Sequence, residues 1–358
     1  MAETTMNDDI GFNAKARRVE EPLAAGATMR AMWIERYGGP EVVRVDSDMP
    51  VPTPGLGEVL VKVECAGINF MDIHTRQGKY AHSRTYSVGL PCILGMEGSG
   101  TVVQIGEGVT HLRQGQRVAW CIAWGSFAEY ACIPANRIAV LPDSIGYDLA
   151  AAAMFQGCTA HYLVHDVARL SADSVCLVHA ASGSIGQILI QLAKRVGARV
   201  FATASTEDKC RVARQRGADA AFLYEEGRFA DVARDLTSGA GVDVVFDSLG
   251  RATLRDSFRA TRKRGLIINY GNVSGSIADL DPYELGEAGS LFLTRPRLAD
   301  HMADAGTVQH RADDIFAAIS DGWLKIEIAN HYLFDQIAEG HARIESRQQI
   351  GKSVAWIR

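Results

Sequence analysis

The chain has 358 residues, with 37 lysines and arginines against 42 aspartates and glutamates and a formal net charge of −5. This length allows two domains that each have a core, and the mixed charges disfavour nucleic acid or an anionic membrane surface as a partner. Seven scattered cysteines indicate reduced core thiols. No run approaches about 18 apolar residues and no secretory signal is evident, so we expect a cytoplasmic protein without a membrane partner.

The first part of the chain has the texture of a β domain. Residues 1–28 are polar and without clear period, which predicts a flexible N-terminal extension. From residue 29 to 152, short β-like runs such as VVRVDSD, EVLVKVECAGI and RVAWCIAW are separated by glycine and proline. This pattern is typical of an antiparallel barrel or sandwich. We therefore predict a mostly β domain over 29–152.

The pattern changes after this domain. Over 153–295, apolar strand-like runs alternate with amphipathic helical runs, which predicts a doubly wound parallel sheet. The segment 296–358 has two helical patterns and closes on an apolar run, SVAWIR. Because a strand needs a neighbour for its backbone groups, we expect 296–358 to return to the β domain. The predicted fold class is α/β.

A glycine turn stands between a strand and a helix in SVCLVHAASGSIGQILIQ. Ala181, Gly183 and Gly186 have the G-x-G-x-x-G spacing with alanine at the first position. Such a turn brings the N-terminus of a helix, with its free N–H groups, to a dinucleotide pyrophosphate. The turn predicts a nicotinamide cofactor. The alternative is a tight strand-to-helix turn that binds no ligand.

The next strand indicates which nicotinamide cofactor is used. An NAD-binding sheet places a carboxylate about 20 residues after the glycine turn to accept the ribose 2′-hydroxyl. Here the position is occupied by Ala204, Ser205 and Thr206, and Lys209 follows one turn into the helix. Hydroxyls and a cation suit a 2′-phosphate, so NADPH is favoured over NADH. In the alternative interpretation, Lys209 is a solvated helix residue.

Taken together, the motifs resemble the quinone oxidoreductase (ζ-crystallin-like) branch of the medium-chain dehydrogenase/reductase superfamily. The resemblance covers almost everything after Met29. It implies a GroES-like, mostly β catalytic domain, a Rossmann domain that binds NADPH, an active site between them and a homodimer. The blocks that carry it are GGPEV (38–42), CAGINFMD (65–72), RQGKY (76–80), LGMEGSGTV (94–102), HAASGSIG (179–186), DSLG (247–250), YGNVSG (270–275), SLFLTRP (290–296) and ESRQQIGK (345–352).

Many relatives in this superfamily use zinc, and the resemblance argues against it here. Asn69 stands where those enzymes carry a cysteine ligand, and Met96 stands where they carry a histidine. Neither replaces a zinc ligand well. The cluster of four cysteines that holds their structural zinc is represented only by Cys121 and Cys132. We predict that the protein binds no metal.

The resemblance also suggests the site residues. Asn69 would lie near the nicotinamide or the substrate, and Tyr80 would line the same cleft with Gln156. Asn69 can instead be a turn-forming asparagine, and Tyr80 a core or rim residue. The cofactor residues implied are Asn69 and Thr159; Ser182, Gly183, Ser184 and Ile185 at the pyrophosphate; Ser205, Lys209 and Tyr224 at the adenosine end; Ser248 at the ribose; Tyr270, Asn272, Ser274, Phe292 and Thr294 at the nicotinamide side; and Arg347 as a second cation, whose alternative is a surface arginine.

One residue departs from the close bacterial relatives, which tend to have tyrosine where this chain has His74. An imidazole can bind a carbonyl or supply a proton near neutral pH. The alternative is a hydrogen-bonded polar residue without a role in the chemistry. The catalytic candidates are therefore Asn69, Tyr80 and His74. Asp72 and Glu97 are the carboxylates nearest these motifs, and both can instead anchor loops.

The resemblance implies transfer of a hydride from C4 of NADPH to a quinone or a similar conjugated carbonyl. Such acceptors need little covalent help, which agrees with the absence of Ser-His-Asp and paired-carboxylate motifs. One alternative is an NADPH-dependent enoyl or 2-alkenal reductase. A second is a non-catalytic, crystallin-like protein that binds nucleotide or RNA, although no basic stripe favours RNA.

Overall fold

The computed structural model describes residues 24, 26–224, 228–346 and 349–357. Within these residues the strands form three sheets. The strands are β1 (Thr28–Ile34), β2 (Val43–Pro50), β3 (Glu58–Ile68), β4 (Cys92–Ile93), β5 (Glu97–Ile105), β6 (Arg117–Cys121), β7 (Tyr130–Pro134), β8 (Ile138–Val140), β9 (Val175–Val178), β10 (Arg199–Ala204), β11 (Ala220–Leu223), β12 (Val242–Asp247), β13 (Thr261–Asn269), β14 (Phe292–Thr294), β15 (Ile328–Leu333) and β16 (Lys352–Trp356).

The helices are fewer and most of them lie between strands of the second half. The α-helices of the described residues are α1 (Phe70–Arg76), α2 (Tyr147–Tyr162), α3 (Ser184–Arg195), α4 (Glu207–Gln215), α5 (Arg228–Asp235), α6 (Leu254–Ala260), α7 (Pro282–Glu287), α8 (Ala305–Ser320) and α9 (Ile337–Glu345). A single π-helical segment, Leu163–Val167, continues α2. Within the described part of the chain, no helix is both long enough and apolar enough to span a membrane.

Two sheets form the β-rich half. The larger has the order β15-β16-β3-β5-β6-β8, with β7 also paired to β3, and the smaller has the order β2-β1-β4. Their pairs are antiparallel apart from β15 with β16. The centre of this half is a core that includes Val61, Trp120 and Phe127, all buried. The antiparallel pattern arises from the short glycine- and proline-bounded runs of the sequence.

The second half is a six-stranded sheet with the order β11-β10-β9-β12-β13-β14, and every pair in it is parallel. The side chains of β9 alternate between two cores. Cys176 and Val178 pack with Leu189 of α3 on one face, and Leu177 packs with Phe258 of α6 on the other. Apolar side chains on both faces of a central strand are what a doubly wound sheet requires. The parallel sheet predicted from the sequence is confirmed.

Strand β16 joins the end of the chain to the β-rich half. It lies antiparallel to β3, with Ser353 opposite Ile68 and Trp356 opposite Cys65. Just before this strand, Gly351 forms a bridge with Gly183 of the glycine turn. The domain limits expected at 29–152, 153–295 and 296–358 remain a prediction. The expected extension over 1–28 lies almost wholly outside the described residues.

Helix α2 connects the two halves. Its residues from Ala150 to Ala153 are buried, as are Gln156, Thr159 and Tyr162 further along. One side of the helix packs on β3, β5 and β16, and the other packs on α3 and α8. A helix enclosed in this way is held rigidly, so its polar residues keep fixed positions between the halves.

All seven cysteines are free in the structure. Five of them are buried, and burial raises the pKa of Cys158 and of Cys176 to about 12. The thiolate is the reactive form of cysteine. These side chains therefore behave as small apolar packing groups.

Gly186 is needed where α3 lies close to the turn before it. A Cβ added at this residue would lie 2.6 Å from the carbonyl oxygen of Ala180 and 2.8 Å from Cα of Ala181. Both atoms belong to the backbone, so the clash cannot be relieved by a side-chain rotation. Gly286, in α7, offers a comparison because an added Cβ there meets nothing within 4 Å.

We expect Gly186→Ala to lower the free energy of unfolding by about 1–3 kcal/mol, because the added methyl group forces α3 away from the sheet. The matched control, Gly286→Ala, should be neutral or stabilise the protein by up to about 1 kcal/mol, because alanine favours helix. Urea denaturation of both variants without added cofactor measures the difference. Equal stability of the two variants would contradict the close approach seen at Gly186.

Candidate active site

A cavity of about 310 Å³ lies in the cleft between the two halves. It lies where β3 ends, where α3 begins and at the carboxyl ends of β10, β12 and β13. Ligands of open parallel sheets bind at this edge. The sequence-predicted residues that line it are Asn69, Ser182, Gly183, Ser184, Ile185, Ser205, Lys209, Tyr224, Ser248 and Tyr270.

The glycine turn forms one wall of the cavity. Gly183 is the residue before the first turn of α3, and Ser184 starts the helix. The amide of Gln187 donates to the carbonyl oxygen of Ser182 at 2.7 Å and fixes the turn. The first N–H groups of a helix have no partner within the helix. At this wall they are available to an anion such as a pyrophosphate.

A second wall is formed at the end of β10. The Nζ atom of Lys209 donates to the hydroxyl of Ser205 at 3.2 Å. The backbone N–H of Lys209 donates to the side chain of Thr206, which caps α4. No carboxylate occurs at the end of this strand, from Ala204 to Thr206. A cation with neighbouring hydroxyls suits a phosphate better than a ribose hydroxyl.

The strands β12 and β13 close the cavity with Ser248 and Tyr270. Burial raises the pKa of Tyr270, and a hydrogen bond with Ser248 partly opposes this effect. The hydroxyl therefore stays protonated at neutral pH. Below these residues, the carboxylate of Asp247 accepts the backbone N–H groups of Leu249 and Gly250 and holds the loop in place.

The floor of the cavity is a buried polar network around Asn69. Lys352 donates from Nζ to Oδ1 of Asn69 and to Oε2 of Glu97, both at 2.7 Å. The amide of Asn69 donates to the same Glu97 oxygen at 2.9 Å and to the carbonyl oxygen of Gly67 at 3.2 Å. Gln156 also donates to Asn69 Oδ1, at 2.7 Å. The hydrogen-bonding capacity of the Asn69 amide is thus fully used by the protein.

Two carboxylates support this floor. Oε1 of Glu97 accepts the backbone N–H of Phe155 in α2 at 2.5 Å. Asp72 accepts the backbone N–H groups of Asn69 at 2.7 Å and of Met96 at 3.1 Å. Burial raises the pKa of Asp72 to about 7, and these two N–H donors oppose the rise. Glu97 thus binds the backbone of α2, and Asp72 binds the backbone before α1 and before β5.

Helix α2 has two buried acceptors without hydrogen-bond partners, and one of them lies at the cavity. Among the residues that the structure describes, Oε1 of Gln156 and Oγ1 of Thr159 are buried and have no hydrogen-bond partner. Gln156 lines the cavity, and Thr159 lies one helical turn further along α2. Buried polar atoms are nearly always bonded. A ligand with an amide N–H group would satisfy them.

The predicted residues His74 and Tyr80 lie together just outside the main cavity. The Nδ1 atom of His74 is 3.3 Å from the hydroxyl of Tyr80, and its Nε2 atom is 3.4 Å from Nζ of Lys79. Burial and the charge of Lys79 lower the pKa of His74 to about 4. Burial raises the pKa of Tyr80. His74 is therefore neutral at physiological pH.

Four predicted residues lie away from the main cavity. Asn272 and Thr294 line a separate cavity of about 290 Å³. The hydroxyl of Ser274 donates to the carbonyl oxygen of Leu249 at 2.7 Å and thus joins two loops. The ring of Phe292 is 61% exposed on the edge strand β14, so the structure does not bring it into the cleft. Arg347 lies outside the described residues.

The residues present fit a phosphorylated nicotinamide dinucleotide. A helix N-terminus, a lysine with hydroxyls and the orphaned acceptor of Gln156 lie along one continuous cavity. Within the described ranges, no group of three or more histidine, cysteine, aspartate or glutamate side chains could hold a metal ion.

Sequence reasoning missed two residues of this region. Lys352 belongs to a recognised block, but only the pairing of β16 with β3 brings its ammonium group to Asn69. Lys79 lies within another recognised block, RQGKY, and its contact with His74 depends on the turn that follows α1. Neither contact has a local sequence signal, because each depends on how the chain folds back.

Comparison with known families and proteins gives a consistent result. Residues 55–143 match the family described as alcohol dehydrogenase GroES-like domain, and residues 184–297 match the family described as zinc-binding dehydrogenase. The quinone oxidoreductase of Pseudomonas aeruginosa is 34% identical over 319 residues, 89% of this chain and 96% of the relative. A 2-haloacrylate reductase from a Burkholderia species is 34% identical over 328 residues, 90% of this chain and 98% of the relative.

A solved structure agrees with these matches. The Escherichia coli quinone oxidoreductase, solved in complex with NADPH, superposes with a TM-score of 0.86 at 32% identity, covering 91% of this chain and 99% of that one. The predicted fold class, a GroES-like domain with a Rossmann domain, is confirmed. The chain belongs to the quinone oxidoreductase branch of the medium-chain dehydrogenase/reductase superfamily.

Proposed function

We propose that the chain is an NADPH-dependent oxidoreductase that transfers hydride to a quinone or a similar conjugated carbonyl acceptor. The observation that carries this proposal is one cavity that joins the glycine turn, the Ser205 and Lys209 pair, and the floor around Asn69. Relatives that match this chain over almost their whole length are quinone oxidoreductases, and one of them was solved with NADPH.

Each wall of the cavity has a role in this proposal. When bound, the cofactor supplies the hydride. Ser182 to Ile185 hold its pyrophosphate, and Ser205, Lys209 and Tyr224 hold its phosphorylated adenosine end. Gln156 and Thr159 accept the N–H groups of its carboxamide, which explains why these two acceptors lack partners in the protein. Ser248 and Tyr270 close the ribose and nicotinamide side.

We also propose that the reaction needs no metal. Asn69 and Met96 stand at two positions where zinc-dependent relatives have ligands. The positive charge at this place is instead the ammonium group of Lys352, bonded to Asn69 and Glu97. The amide of Asn69 has no spare hydrogen bond, so its role is to position neighbouring groups. The seven free cysteines support a cytoplasmic location.

The second candidate function is reduction of an activated alkene. It is supported by the similarity to the Burkholderia 2-haloacrylate reductase, which is as high as the similarity to the Pseudomonas enzyme. Both reactions would use the same cofactor site, so they differ only in the acceptor. The non-catalytic alternative has no comparable support, since the net charge of −5 disfavours RNA.

The acceptor distinguishes these functions. We expect the purified protein to oxidise NADPH with 1,4-benzoquinone and 9,10-phenanthrenequinone, because quinones accept hydride with a low barrier. Absorbance at 340 nm measures the rate, and crotonaldehyde and 2-chloroacrylate test the alkene reaction. Turnover of the alkenes alone would replace the quinone proposal with the second candidate. Tight NADPH binding without any turnover would contradict both.

Lys209 should set the preference for NADPH. We expect Lys209→Met to weaken NADPH binding about tenfold or more, because a charge-assisted hydrogen bond contributes about 1.5–3 kcal/mol, and to leave NADH binding nearly unchanged. Quenching of protein fluorescence measures both dissociation constants. Lys263→Met, at an exposed position of β13, is the matched control. Equal weakening for both cofactors would contradict the assigned contact with the 2′-phosphate.

We further propose a homodimer formed through the edge strand β14. This strand ends the described parallel sheet, and its Phe292 ring is 61% exposed. An unpaired edge with an apolar side chain is a ready surface for a second copy.

Light scattering after size-exclusion chromatography should therefore give about twice the chain mass of 38.7 kDa. Phe292→Glu should shift the population towards monomer, because two buried like charges would face each other across the two-fold axis. Tyr283→Glu, at a position that is 70% exposed on α7, is the control and should remain dimeric. A monomer mass for the unsubstituted protein would reject the dimer.

A further inference from the structure

Three side chains from α1 and the turn after it form a hydrogen-bonded chain. The Nζ atom of Lys79 is 3.4 Å from Nε2 of His74, and Nδ1 of His74 is 3.3 Å from the hydroxyl of Tyr80. Lys79 also donates to Oδ1 of Asn272 at 3.1 Å, on the other side of the cleft. Lys79 is exposed, whereas His74 and Tyr80 are half-buried. The chain thus runs from solvent towards the interior.

The chemistry of the three groups fixes the direction of these hydrogen bonds. An ammonium group only donates, so Nε2 of His74 must be the bare nitrogen of the ring. A neutral imidazole then carries its hydrogen on Nδ1, which donates to the Tyr80 oxygen. The hydrogen of the Tyr80 hydroxyl remains available for another acceptor. Tyr80 is thus placed as a proton donor, and His74 and Lys79 are placed to replace the proton that it gives.

The surrounding charges keep this arrangement. Lys79 faces His74 and, with burial, keeps the imidazole neutral. Partial burial lowers the pKa of the Lys79 ammonium group, and the positive charge of Arg295, which faces it, lowers that pKa further. Tyr86, Arg295 and Arg297 face Tyr80; burial and Tyr86 raise the pKa of its hydroxyl, and the two arginines oppose this.

The three hydrogen-bonded side chains, Lys79, His74 and Tyr80, lie beside the proposed reaction site. Phe70 and Met71, in the first turn of α1, line the main cavity, and the ring of Phe70 is 6.0 Å from that of His74. Across the cleft, Asn272 lies between the cavity-lining residues Tyr270 and Val273. The Asn69 amide on the floor is fully occupied by protein partners and cannot serve as a proton donor.

We propose that Lys79, His74 and Tyr80 form a proton relay that delivers a proton from solvent to the oxygen of the reduced acceptor. This inference rests on the proposed function. A quinone that receives a hydride becomes a hydroquinone monoanion and needs one proton. Tyr80 gives its hydroxyl proton to that oxygen and takes the Nδ1 proton of His74 while Lys79 gives a proton to Nε2. Water then recharges the amine, and proton exchange with water returns His74 to the tautomer with its hydrogen on Nδ1. The sum is quinone, hydride and one proton giving hydroquinone.

The tautomer of His74 is the first test, and it requires no turnover. In protein labelled with ¹⁵N-histidine, long-range ¹H–¹⁵N correlation spectra distinguish the two tautomers, and the spectrum of His74→Gln identifies the His74 signals. We expect His74 to carry its hydrogen on Nδ1. Lys79→Arg should keep this tautomer because arginine also only donates, and Lys79→Met should release it. Asn272→Ser should leave the tautomer unchanged.

The second test distinguishes two roles of Lys79: supplying a proton to His74 and donating a hydrogen bond to it. Arginine keeps its proton at all accessible pH values, so Lys79→Arg should preserve the tautomer and still lose the relay. We expect kcat with duroquinone, a weak hydride acceptor, to fall roughly tenfold at pH 8 in Lys79→Arg and in Lys79→Met, within the range of general acid catalysis. A larger solvent deuterium effect should accompany the loss. Lys263→Met is the control for removal of a lysine charge.

Specific outcomes overturn the relay. A hydrogen on Nε2 of His74 in the unsubstituted protein, together with normal NADPH oxidation, would reject the relay and leave the proposed function intact. Wild-type kcat and solvent isotope effect in both Lys79 variants would also reject it. Absence of NADPH oxidation with every acceptor would instead reject the proposed function, and the relay with it.

Discussion

The buried ion pair between Lys352 and Glu97 is the interaction on which the rest of the site depends. Both side chains are almost fully inaccessible to water, and their charges are satisfied by each other, by Asn69 and by the backbone of α2. Loss of one partner from such a pair typically costs about 3–5 kcal/mol, because a buried charge remains unpaired. The pair joins β16, β5 and the start of α1, so the end of the chain, the β-rich half and the cleft floor form one unit.

The two halves of the molecule contribute different parts of the site around this pair. The parallel sheet offers what a dinucleotide requires: a helix N-terminus, a lysine with hydroxyls and a tyrosine that lines the cavity at the end of β13. The β-rich half offers the floor and the groups beside the acceptor. Helix α2 is buried between them and holds the Gln156 acceptor at the cavity from a rigid backbone. Rigid elements hold reacting groups more precisely than loops do, and precise alignment is most of what hydride transfer needs from a protein.

Much of this could be read from the sequence, because some signals are local. Three signals each depend on a few neighbouring residues: the glycine turn, the lack of a carboxylate directly after Ala204, and the position of Lys209. The glycine turn, Ala204 and Lys209 all line the cavity. The role of Asn69 was harder, because its amide is occupied by Lys352, 283 residues away. Phe292 does not line the cavity, and its predicted contact with the cofactor stays a prediction, because a match within a block does not tell which face of an edge strand its side chain occupies. Contacts between residues far apart in the chain, and the direction in which a side chain points, could not be predicted from the sequence.

The position of β16 has a consequence for how the protein is made. Strand β3 is central to the β-rich half, yet one of its neighbours is separated from it by most of the chain. During synthesis, the last part of β3, from Cys65 to Ile68, therefore waits without its partner strand while the whole parallel sheet emerges from the ribosome and folds. Contacts of such high sequence separation form late and slowly. The cofactor half can be complete while the cleft floor is still missing, so nascent chains pass through a stage that holds a nucleotide fold without a finished active site.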